Sequence, residues 1–190
     1  MEIILAENHG FCYGVKRAVE MANEAANNDG KSYTLGPIIH NPQVVGRLED
    51  KGVSPVQEVS DIAEGTMIIR SHGVGPAIYE EAEEKGLHIV DATCPYVKKA
   101  QQDAKSVIED DMTLVILGEK NHPEVKSINL WANNEGIIIE DEDSAQKLQV
   151  VEKMGVVVQT TFSQFKFNSI IDILEKKSKN LKVFKTICNA

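Results

Sequence analysis

Cys12-Tyr13-Gly14-Val15-Lys16-Arg17-Ala18 and Cys94-Pro95-Tyr96-Val97-Lys98-Lys99-Ala100 share the pattern C-x-x-V-K-R/K-A at an offset of 82, from 12 to 94. The same offset, from 40 to 122, relates Leu35-Gly36-Pro37-Ile38-Ile39-His40 to Leu117-Gly118-Glu119-Lys120-Asn121-His122. Each cysteine therefore precedes its histidine by 28 residues. A motif and a spacing that repeat together mark an internal duplication. A third copy opens near the end. Leu87-His88-Ile89 leads to Cys94 and Leu181-Lys182-Val183 leads to Cys188, each leucine seven residues ahead of its cysteine.

Working outward from the repeat, short apolar runs alternate with amphipathic stretches. The runs predict strands at Ile3–Ala6, Tyr33–Leu35, Met67–Arg70, Leu87–Val90, Thr113–Leu117, Ile137–Glu140, Val156–Gln159 and Leu181–Phe184. Helices are expected near Tyr13–Asn28, Pro42–Lys51, Pro76–Lys85, Pro95–Glu109, Pro123–Ala132, Ser144–Leu148 and Ser163–Lys179. Pro42, Pro76, Pro95 and Pro123 fall where a first-turn proline is tolerated. Such alternation argues for α/β lobes with parallel sheets. The expected architecture is a set of repeated small lobes around a pseudo-threefold axis, two of three being present. Its divisions are an N-terminal strand region 1–11, a first lobe 12–93, a second lobe 94–187, and 188–190 opening a third. By the same logic the Ile3–Ala6 strand would close that third lobe, and would here be unpaired or paired with a surrogate.

Composition narrows the class. The chain has 190 residues, 42% hydrophobic and 26% charged, which is ordinary globular usage. No run approaches the ~18 apolar residues of a membrane span, so no membrane association is expected. Lys+Arg 20 against Asp+Glu 29 gives a net charge of -9 without basic blocks, a poor design for binding nucleic acid. Three cysteines are too few for a disulfide framework and suit a reducing compartment, so a cytoplasmic location is expected.

Cys12, Cys94 and Cys188 each stand after a strand and before a helix, at the carboxyl ends of the strands where α/β sheets place ligands. Three thiolates at equivalent positions make a soft metal site. Structural zinc takes four ligands and close C-x-x-C pairs, which are absent. Three ligands suit a [4Fe–4S] cluster with one iron not held by protein, a departure from the usual four. His40, His72 and His122 also follow strands. Imidazoles beside helix N-termini form an anion site suited to phosphate. His9 and His88 lack this placement and read as structural. Glu124, in the first turn after Pro123, is a candidate proton donor, although a carboxylate there also complements the helix dipole. Thr160 and Thr161 follow a strand at the lobe position of His72, where a hydroxyl can orient an alcohol, relay a proton or cap a helix.

These strings carry a resemblance. Gly10–Ala18 reads G-F-C-Y-G-V-K-R-A, Ile38–Val45 I-I-H-N-P-Q-V-V, Ser71–Val74 S-H-G-V and Asp91–Val97 D-A-T-C-P-Y-V. Gly118–Val125 reads G-E-K-N-H-P-E-V, Gln159–Thr161 Q-T-T and Thr186–Ala190 T-I-C-N-A. Together they resemble the 4-hydroxy-3-methylbut-2-enyl diphosphate reductase family of the non-mevalonate isoprenoid pathway. The resemblance implies a two-electron reductive dehydroxylation at a [4Fe–4S] cluster held by Cys12, Cys94 and Cys188. It implies an allylic diphosphate substrate whose diphosphate meets His40, His72 and His122, with Glu124 delivering protons and Thr160 holding the network. Isopentenyl and dimethylallyl diphosphate would be the products, and reduced flavodoxin or ferredoxin the electron donor. Family members continue into a further lobe with additional diphosphate ligands, so the chain is expected to be an inactive fragment. From the residues alone, a non-redox α/β protein that binds a phosphorylated ligand, with inert cysteines, is the alternative. An aconitase-like hydratase with an open iron is a third reading.

Overall fold

The two sequence copies fold into two sheets of identical strand order. The computed structural model describes residues 3–4, 7, 9–27 and 30–188. After helix α1 (Tyr13–Ala26) come β1 (Ser32–Leu35), α2 (Pro42–Glu49), β2 (Val53–Val56), a single 3-10 turn, β3 (Thr66–Ile69), α3 (Pro76–Glu84) and β4 (His88–Asp91). The second set is α4 (Pro95–Glu109), β5 (Thr113–Leu117), α5 (Pro123–Trp131), β6 (Ile137–Ile139), α6 (Glu142–Lys147), β7 (Val151–Val158), α7 (Gln164–Leu174) and β8 (Ser178–Val183). The sheets run β2-β1-β3-β4 and β6-β5-β7-β8, and every pairing is parallel.

Each sheet is covered on both faces, so β3, β5 and the second half of β7 are buried on both sides rather than alternating. Ile68 of β3 packs with Ala18, Ala22 and Leu48 of α1 and α2, while Met67 and Ile69 pack with Ala82 of α3. Likewise Leu114 and Ile116 of β5 meet Ala104 and Ile128 of α4 and α5, whereas Val115 and Leu117 meet Phe167 and Ile170 of α7. Parallel strands all point one way, so the loops after β1, β3, β5 and β7 gather at one end of each sheet.

Three departures from the sequence reading have local causes. β2 escapes it because Val53-Ser54-Pro55-Val56 carries a proline, tolerated here because the strand lies at the sheet edge. β7 begins at Val151, earlier than the apolar run suggests, because Glu152 and Lys153 are exposed on a strand already paired with β8. α7 stops at Leu174, and the polar residues read as its continuation turn into β8. At the N-terminus, Ile3 and Ile4 lie outside any strand and are 72% and 83% exposed. The rest of the expected strand, Leu5 and Ala6, lies outside the described residues.

Candidate active site

Cys12 and Cys94 occupy the same place in their lobes, as the residues capping the N-termini of α1 and α4. Cys188 follows β8 at the matching point. The amide of Cys94 donates to Ser71 O at 2.9 Å and that of Cys188 to Thr160 O at 2.8 Å, so each is hung from the loop leaving its neighbouring strand. All three are free and line one cavity of about 170 Å³. Gly14 makes room for this convergence, since a Cβ there would lie 2.6 Å from Cys94 Sγ. Burial pushes the Cys94 thiol up, the first-turn amides of Tyr96 and Val97 oppose that, and nearby Cys12 and Cys188 add to it. Three free cysteines lining one cavity are a donor set that fits a soft metal cluster.

Glu124 and Thr160 line the same cavity. Glu124 is 2% exposed, held by the first turn of α5. Its Oε1 accepts from the Thr160 amide at 2.6 Å and its Oε2 from the Thr160 hydroxyl at 2.9 Å. Desolvation raises its pKa despite both hydrogen bonds, which pull the other way. The backbone bonds also refine the repeat: Thr160 matches Ser71, and Thr161 is the residue that matches His72.

The three histidines form one cluster beside this cavity. Ring centroids lie 4.5 Å apart for His40 and His72, 5.4 Å for His72 and His122, and 6.0 Å for His40 and His122. Ser71 ties the loop after β3 to the His40 loop, its hydroxyl donating to Ile38 O at 3.2 Å. Burial and the adjacent His40, Arg70 and His122 lower the pKa of His72 to about 3, and its buried Nδ1 has no partner. Desolvation is also the main cause that lowers His122. His122 caps α5 by accepting the Glu124 amide on Nδ1 at 3.2 Å, which leaves its proton on Nε2. Ring nitrogens within 4.8 Å of one another are close enough to share a metal ion. The His122 tautomer keeps its proton on Nε2, a donor that favours an anion instead. His88 is exposed on β4, outside this cluster.

Sequence reasoning missed the residues that join the lobes. Ser127 on α5 donates to His72 O at 2.9 Å and accepts from Gln101 Nε2 at 3.1 Å. Trp131 Nε1 donates to Val74 O at 2.9 Å. Gly73, at φ +72°, leaves space for Gln101, whose Nε2 would lie 2.4 Å from a Cβ. Asp91 accepts from the Thr93 amide at 2.9 Å and the Tyr79 hydroxyl at 3.1 Å and pairs with Lys98 at 2.6 Å, bracing the turn that carries Cys94. Only the S-H-G-V string signalled that this loop was special.

Comparison with known proteins agrees with this geometry. A family model described as LytB protein matches residues 3–190. The 4-hydroxy-3-methylbut-2-enyl diphosphate reductase of Geotalea uraniireducens is 48% identical over 190 residues, covering 100% of this chain and 67% of its own length. That of Caldanaerobacter subterraneus is 45% identical, covering 100% of this chain and 68% of its own. A solved structure of (E)-4-hydroxy-3-methyl-but-2-enyl diphosphate reductase, the terminal enzyme of the non-mevalonate pathway, superposes with a TM-score of 0.88 at 43% identity. It covers 98% of this chain and 68% of that one. The Plasmodium falciparum reductase gives 0.91 at 30% identity, covering 97% of this chain and 60% of that one. With the repeat, the fold and a match across residues 3–190 in agreement, the chain belongs to the LytB protein family.

Proposed function

We propose that this chain carries the cysteine, proton and histidine elements of a 4-hydroxy-3-methylbut-2-enyl diphosphate reductase site. The observation that supports this most directly is that Cys12, Cys94, Cys188, Glu124 and Thr160 share one cavity. The overall change takes up two electrons and two protons. The allylic C–O bond breaks, the hydroxyl leaves as water, and a proton adds to the allylic carbon to give isopentenyl or dimethylallyl diphosphate. Cys12, Cys94 and Cys188 would hold a [4Fe–4S] cluster, which supplies the electrons and an open iron as Lewis acid. Reduced flavodoxin or ferredoxin is the proposed source of those electrons.

The chain's own residues account for the proton and the substrate's orientation. Desolvation keeps the Glu124 proton on at higher pH than an exposed carboxyl would, as a general acid requires. When Glu124 is protonated, its Oε2–H donates to Thr160 Oγ1, and the threonine hydrogen is free to meet the substrate oxygen. His40, His72 and His122 orient the diphosphate by N–H donation. The lobes are assigned as 12–93 and 94–187, with 1–11 and 188–190 belonging to a third.

The test is anaerobic reconstitution of the chain with iron and sulfide, followed by iron analysis, electron paramagnetic resonance and pyrophosphate binding. About four irons per chain and a signal sensitive to added substrate are expected. Pyrophosphate binding with no retained iron would overturn this reading in favour of a non-redox phosphate-binding protein.

A further inference from the structure

The histidine cluster lacks an obvious source of positive charge. Desolvation disfavours the charged forms of His72 and His122, and the chain around them is acidic overall, at -9. A diphosphate brings several negative charges. Arg70, two residues before His72, is the cation placed to meet them. Its Nε is fully buried with no acceptor, and no carboxylate pairs with it among the described residues. A half-buried guanidinium with its Nε unsatisfied and no counter-charge is unfavourable, so the arrangement suits an anion that arrives later.

Its position is specific. Arg70 Nη1 lies 2.6 Å from where a Cβ on Gly36 would be, so the guanidinium covers the turn from which the His40 loop departs. Gly36 has φ +71°, and a side chain there would be both strained and in collision with Arg70. Together with Gly36, Arg70 lines a cavity of about 280 Å³ whose wall also includes Gln57, Lys126, Gly75 and Pro123. Among the described residues no acidic side chain lines that cavity, and Gly75 and Pro123 mark the starts of α3 and α5. The positive ends of two helices therefore reinforce the guanidinium.

We infer that Arg70 is the fixed positive charge of the histidine cluster, a positioning residue through which His40, His72 and His122 hold an anion of the diphosphate class. The inference rests on the diphosphate reading above and names the residue that supplies its charge. Arg70 acts from behind the imidazoles, setting the local potential and fixing the His40 loop, while the ring N–H groups make the direct bonds. A carboxylate or an uncharged alcohol gains less from that potential, so Arg70 also contributes selectivity.

The test uses the full chain and inorganic pyrophosphate as the probe, with Arg70→Met and Arg70→Lys compared by calorimetry at two salt concentrations. Imidazole NMR titrations and thermal melts accompany them. R70M is expected to weaken pyrophosphate about tenfold or more and to flatten its salt dependence, while R70K stays within a few-fold of the native chain. The His72 imidazole is expected to titrate at higher pH in R70M but not in R70K, a change that loop support alone would not produce. Equal pyrophosphate affinity in R70M and the native chain, or equal weakness in R70M and R70K, would overturn the inference. If the native chain binds no pyrophosphate, the diphosphate reading falls. The imidazole titration then decides the charge role alone, and an unmoved His72 in R70M refutes it.

Discussion

Thr160 grips both oxygens of the Glu124 carboxyl, its amide 2.6 Å from Oε1 and its hydroxyl 2.9 Å from Oε2. The two residues come from different strand ends, 36 positions apart, and meet because β5 and β7 are adjacent parallel strands. Two donors would ordinarily favour the ionised carboxylate. Burial outweighs them here, so the Glu124 carboxyl holds its proton to higher pH than an exposed glutamate.

That balance predicts a pH signature for Glu124→Gln. A carboxyl whose folded pKa is raised contributes stability that is complete below its unfolded value and is lost as pH rises through the folded value. Native and E124Q chains should therefore melt alike in acid, and E124Q should gain on the native chain as pH rises above the ordinary glutamate range. Melting temperatures measured across pH check this. A native chain that gains on E124Q with rising pH would make Glu124 a stabilised anion. In the reductase reaction, E124Q should keep the cluster and lose about 100-fold or more in turnover.

His72 predicts the opposite slope. Its pKa falls from about 6.5 unfolded to about 3 folded. A depressed folded pKa contributes stability that is present above the unfolded value and is lost as pH falls through the folded one. Native stability should decline between pH 6.5 and about 3, and His72→Gln should remove one proton's share of that decline. Denaturant midpoints at several pH values measure it. An unchanged acid slope in H72Q would show that His72 is protonated as readily folded as unfolded.

The repeat was legible because cysteine, histidine and proline are chemically distinctive and kept one spacing in both copies. Strand order was not written in that spacing; it emerged only with the fold, which sets the runs before Cys94 and Cys188, β4 and β8, at the sheet edges. β2 was not legible, because Pro55 reads as a loop until an edge position excuses it. Arg70 was not legible either. Its significance lies in the lack of a paired carboxylate among the described residues and in Gly36 packed beneath it, neither of which a linear pattern records. Ser127 looked like an ordinary helix residue until the fold placed His72 O against it.

Ser127 supplies a test of the lobe junction. Its hydroxyl donates to His72 O in part-buried surroundings, and in buried surroundings lies 3.0 Å from Glu124 O and accepts from Gln101 Nε2 at 3.1 Å. Ser127→Ala removes that junction and leaves the Gln101 amide without this acceptor. The expected loss is about 1–3 kcal/mol of unfolding free energy by urea titration, with weakened order at His72. A loss within about 0.5 kcal/mol, as for an ordinary surface substitution, would show that this junction does not hold the lobes in register.

Gly14 separates folding from cluster binding. It lies within α1 with no positive φ, so alanine is conformationally welcome and should favour the helix by up to about 1 kcal/mol. The added methyl, however, would sit 2.6 Å from Cys94 Sγ and 3.3 Å from Cys94 Cβ. The sulfur must turn away, and with it one of three donors facing the cavity. Gly14→Ala should therefore match or exceed the metal-free native chain in thermal stability while retaining much less iron after anaerobic reconstitution. Iron and sulfide content per chain, read beside the melting curve of the metal-free protein, distinguishes the two effects. Full iron loading in G14A would mean that Cys94 reaches the cluster from another rotamer, and that the close approach at Gly14 serves helix packing instead.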